Sequence, residues 1–154
     1  MYLFKNLNFK EDDEDFVESF INDFAYGDCF LLAELLAEKY NLNVGIIRSQ
    51  PSGMIIHGFV MINEEYSLDA HGIDKLENTV KRYKDFSFDY GENEINYEIY
   101  PKDYGIKEMN KWSSFDEDDI KLAKIDLEEF IKIVDLKNNI QDYKKTKNKK
   151  IKPL

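Results

Sequence analysis

The sequence predicts an α+β fold in layers, with two helices ahead of a small antiparallel sheet. Three observations carry that reading. Phe16, Phe20 and Phe24 recur at four-residue spacing, Cys29 to Tyr40 is apolar nearly all round, and three strand-like runs follow one another between Asn43 and Asp69.

Glu11 to Phe24 reads as an amphipathic helix, because Val17 and Ile21 extend the phenylalanine stripe and the acidic residues Glu11 to Asp15 suit a helix N-terminus. Ala25, Tyr26 and Gly27 break it, and Asp28 then stands where an N-cap belongs. The helix Cys29 to Tyr40 has no wide polar face, so it is expected at the centre of the fold.

Asn43 to Ser49, Met54 to Ile62 and Tyr66 to Asp69 read as strands, the last two joined by the polar turn Asn63, Glu64, Glu65. Ile73 to Tyr83 is expected to be a short helix and Ile95 to Tyr100 a strand. Asp116 to Leu136 is expected to give one or two helices, with Ile120, Leu122, Leu127, Phe130, Ile131 and Val134 facing inward.

The chain has 154 residues, which suits one domain, and 43% hydrophobic residues with 11 Phe and 10 Tyr exclude wholesale disorder. A single cysteine excludes an internal disulfide, and no cysteine-zinc spacing is present. A reducing cytoplasm is the expected setting, without a secretory leader. The longest apolar stretches fall short of the roughly 20 residues needed to cross a bilayer, so no membrane partner is expected.

The net charge is −10, although Lys144, Lys145, Lys147, Lys149, Lys150 and Lys152 crowd into the last eleven residues with no acid among them. The domain is therefore drawn at 1–142 and a basic, disordered tail at 143–154. An acidic body repels phosphate backbones, so nucleic acid is not an expected partner of the folded part. The tail is the one segment suited to an acidic partner or nucleic acid, and its plainer reading is a solvated end.

Nucleophilic catalysis by cysteine needs a thiolate, a base to take its proton and a group that orients the base. Cys29 opens a helix, where unpaired backbone N–H groups favour a thiolate. His57 lies inside the apolar run Met54 to Ile62, where a polar ring needs a partner. Asp69 ends the next strand, and a hairpin turning at Asn63 to Glu65 folds it back beside the imidazole.

Each of these residues also has a plain structural reading: core packing for Cys29, a satisfied buried ring for His57, a turn residue for Asp69. Taken together, the three favour a Cys29, His57, Asp69 triad. The order and placement resemble the papain-like superfamily in its transglutaminase-like and NlpC-type branches. More narrowly, Gly27-Asp28-Cys29, His57-Gly58-Phe59-Val60 and Leu68-Asp69-Ala70-His71-Gly72 are similar to small bacterial and phage proteins of that type.

The resemblance covers Tyr26 to Ile73 and implies a helix-borne Cys29 packed on the sheet. It also implies that Cys29 is the nucleophile, His57 the general base and then acid, and Asp69 the residue that orients His57. It points to a cysteine hydrolase or acyltransferase acting on an amide, isopeptide or thioester of a peptide or protein substrate, with no cofactor and no metal. The Cys29 backbone N–H would serve an oxyanion hole. No glutamine stands where papain relatives commonly carry one, which leaves Tyr26 and Asn22 as alternatives for the second donor. The competing reading is a non-catalytic acidic protein, an inhibitor or immunity-type binder of a basic partner.

Other clusters carry less. Asp69 and His71 with His57 suggest a metal, but His71 precedes Gly72, the turn residue, and no further ligand spacing follows. Asp116 to Asp119 lack calcium-loop spacing and read as an acidic first turn. Tyr83, Phe86, Phe88 and Tyr90 read as core or covering loop before they read as a substrate groove.

Overall fold

The computed structural model describes residues 4, 9–89 and 94–151, with side chains described apart from 86–89 and 146–151. The fold is α+β, with six helices and a five-stranded antiparallel sheet among the described residues. In chain order these are α1 (Asp13–Phe24), α2 (Cys29–Tyr40), β1 (Asn43–Gln50), β2 (Ile55–Met61), β3 (Tyr66–Asp69), β4 (Gly72–Lys75), α3 (Leu76–Asp89), β5 (Glu94–Tyr100), α4 (Lys102–Asn110), α5 (Glu117–Ile133) and α6 (Leu136–Ile151). The strands lie in the order β4-β3-β2-β1-β5.

The sheet separates two apolar clusters. Val44, Ile46, Val60 and Leu68 join the larger one with α1, α2, α4, α5 and α6. Here Phe20 stacks on Phe130 at 4.0 Å between ring centroids. Gly105 lets α4 approach β1, since a Cβ there would stand 2.5 Å from Val44 Cβ. The smaller cluster joins Ile47, Ile56, Phe59 and Met61 to Tyr83 of α3, which covers the other face. Strand alternation explains the division, because successive side chains of β1 and β2 point to opposite faces.

Ile47 pairs with His57 and Arg48 with Ile55, so a bulge falls at Ile56, immediately before His57. Bulges add twist and re-aim the side chains beside them.

The structure departs from expectation in several places. The segment expected as one helix from Ile73 begins as β4, because Gly72 at φ +116° turns the chain and its strand pairs with β3. Helix α3 follows only at Leu76. Helix α4 has no counterpart in the sequence reading. Leu122 is 62% exposed rather than inward, since the buried stripe of α5 runs through Ala123, Leu127 and Phe130. Asp28 does occupy the N-cap position of α2, but its carboxylate makes no capping hydrogen bond. Helix α6 runs over Leu136–Ile151, and within it Tyr143 packs edge-on against Tyr66 at 4.8 Å between ring centroids. Among the described residues no helix is long and apolar enough to cross a membrane.

Candidate active site

Cys29 is the first residue of α2, in a turn that the Asp28 N–H closes by donating to the Asp23 carbonyl at 3.3 Å. The thiol is buried, with 3% of the residue exposed. It points weakly toward the Tyr26 carbonyl, with Sγ at 3.8 Å.

His57 is fully buried in β2. Its Nε2 pairs with Asp69 Oδ2 at 2.9 Å, which fixes Nε2 as the protonated nitrogen opposite a carboxylate. Nδ1 is buried and makes no hydrogen bond, so it is the nitrogen left for Cys29. Burial alone would pull the pKa of the ring down. The hydrogen bond to Asp69 and the neighbouring Cys29 side chain overcome that and lift it from 6.5 to about 9.

Asp69 is held on both oxygens. Besides His57 on Oδ2, its Oδ1 accepts the backbone N–H of His71 at 2.8 Å. Burial pushes its carboxyl up, yet the donors from His57 and His71 outweigh burial and hold it well below the usual carboxylate range. Arg82 stands behind it, with Nη1 4.0 Å from Oδ2 while Nη2 binds Asp74 at 3.1 Å.

The three residues singled out in the sequence therefore meet at one place. The structure adds Tyr83, whose ring stacks on His57 at 3.7 Å and 13° between planes. Its hydroxyl donates to the Ala25 carbonyl at 2.6 Å. The sequence placed Tyr83 in an aromatic run without linking it to His57; the side chains of Phe86, Phe88 and Tyr90 lie outside the described residues. Arg82 gave no signal of its own, being one basic residue in a polar helix.

Of the two alternatives for a second oxyanion donor, Tyr26 belongs to the turn that carries Cys29, whereas Asn22 is an exposed residue of α1. His71 lies against Asp69, with Nδ1 at 3.5 Å from Oδ1. Among the described residues no cluster of three or more His, Cys, Asp or Glu is arranged to hold a metal ion.

Set against known proteins, the chain matches no family model, no curated protein and no solved structure.

Proposed function

We propose that this chain is a cysteine-dependent hydrolase or acyltransferase of papain-like, transglutaminase-like type, acting through an acyl-enzyme on Cys29. The observation that carries the reading is the buried His57, anchored to Asp69 through Nε2 while Nδ1 has no partner but the neighbouring thiol to serve. A structural histidine would have both ring nitrogens satisfied, since burying a polar atom without a partner is costly.

In this mechanism His57 takes the thiol proton and Cys29 Sγ attacks the carbonyl carbon of an amide, isopeptide or thioester. The tetrahedral oxyanion meets the Cys29 backbone N–H at the start of α2. As the bond to nitrogen or sulfur breaks, His57 returns the proton to the leaving group. Water or an amine then attacks the thioester carbon, His57 takes its proton, and the Cys29 thiol is restored. Asp69 keeps the imidazolium oriented throughout.

One observation favours the second reading, a non-catalytic acidic binder: Cys29 is nearly closed to solvent. Iodoacetamide decides between them. The enzyme reading expects native Cys29 to be alkylated at pH 7, with His57→Gln slowing the reaction about tenfold or more. It also expects p-nitrophenyl acetate to leave an acetyl group on Cys29, seen by intact mass. A thiol inert to both until the protein unfolds overturns this reading and leaves the binder.

A further inference from the structure

We propose that Tyr83 is a positioning residue of the Cys29 and His57 pair, holding both partners through the two ends of one side chain. The proposal rests on the catalytic reading of that pair.

The ring end acts on His57. The hydrogen bond to Asp69 fixes Nε2 but does not by itself set the tilt of the imidazole plane. The Tyr83 ring, 3.7 Å away and nearly parallel, limits that tilt from one side. Tyr83 is itself fully buried in α3, so it is a rigid wall.

The hydroxyl end acts on Cys29. Ala25 ends α1, and its carbonyl, which accepts from Tyr83 at 2.6 Å, belongs to the turn that delivers Cys29 to α2. The next carbonyl along, that of Tyr26, faces the thiol. The Tyr26 ring also contacts Tyr83, at 5.7 Å between centroids. The position of the turn therefore depends on α3 through Tyr83, although α2 and α3 serve opposite faces of the sheet.

A phenylalanine would fill the same space without burying a hydroxyl, so the polar end has its use in this backbone bond. Burial first, then the negative charge of Asp69, hold the phenol far above its ordinary pKa, which keeps it a donor.

The test is a double-mutant cycle on the rate of Cys29 alkylation by iodoacetamide at pH 7. Tyr83→Phe keeps the stack and loses the hydroxyl; Tyr83→Leu loses both. In the parent the expected slowing is about threefold for Phe and about tenfold for Leu. In a His57→Gln background both effects shrink to less than about twofold, because the residue acts through the pair. Equal factors in both backgrounds would make Tyr83 merely structural, and faster alkylation in Tyr83→Phe would make it a simple cover; either overturns the proposal. If His57→Gln alone leaves the rate unchanged, the catalytic reading falls and this proposal falls with it. Tyr83→Phe alters one atom, so it also serves as the folded control.

Discussion

His57 and Asp69 join through their side chains where their strands have already parted. The backbones of β2 and β3 pair at Val60 with Leu68 and Met61 with Ser67, and the Ile62 N–H donates to the Tyr66 carbonyl at 2.9 Å nearer the turn. Continuing that register, Asp69 falls opposite Phe59, so its carboxylate reaches His57 on the diagonal. Diagonal neighbours on one sheet face are within reach of longer side chains. The 2.9 Å bond therefore closes the splayed end of the hairpin.

That bond should dominate the titration of His57. With two histidines in the chain, NMR follows each ring separately, and His71→Asn assigns the pair. The parent midpoint for His57 is expected near 9. In Asp69→Asn it should fall, since the Cys29 side chain alone is then left to oppose burial. A midpoint unmoved by Asp69→Asn would mean that the carboxylate does not support the imidazolium.

Stability should follow the same pair. The folded pKa of His57 lies above its ordinary value of 6.5, so its contribution is complete below about pH 6.5 and is lost as pH rises through about 9. Asp69 shifts the opposite way, so its contribution is present above its ordinary value of 3.8 and erodes as pH falls below it. Denaturant melts across pH 3 to 10 should show both flanks, and His57→Gln should flatten the alkaline one.

Two aspartates at helix starts should behave differently. Asp116 accepts the Asp119 N–H at 2.8 Å and caps α5, so Asp116→Ala should cost about 1 kcal/mol. Asp28 caps nothing, and Asp119 and Asp23 repel it. Urea melts of Asp28→Ala should therefore show no loss; a loss equal to that of Asp116→Ala would contradict the geometry.

Packing sets a third contrast, between two glycines. A Cβ at Gly45 would stand 2.2 Å from the Phe59 ring, whereas at Gly27 the nearest atom is 3.7 Å away. Gly45→Ala should cost about 2 kcal/mol by displacing a buried ring that lies 6.0 Å from His57. Thermal melts should show Gly27→Ala within about 0.5 kcal/mol of the parent.

The sequence makes some of this readable and hides the rest for physical reasons. Cys29 to Tyr40 forms the helix expected of it because a run apolar on every side has no other place than the core. His57 and Asp69 are readable as neighbours because a short hairpin fixes which residues return to one another. Helix α4 was missed because its buried residues are Gly105 and Met109, too few for a stripe. The division between β4 and α3 depends on the turn at Gly72, which a periodicity search passes over. Tyr83 escaped because stacking on His57 joins residues with no pattern between them, and the closure of Cys29 to solvent is a property of packing that helix position does not encode.

The bulge before His57, the hairpin to Asp69 and the turn into β4 all lie in one stretch of chain, from Cys29 to Tyr83. Closing a loop costs conformational entropy that grows slowly with length, about 0.6 kcal/mol per doubling. Each contact that builds the candidate site closes a short loop once the previous one is made. Helices α4, α5 and α6, later in the chain, pack against that centre, and α4 brings Met109 against Gly58 beside His57, so a change at Met109 should reach the site directly.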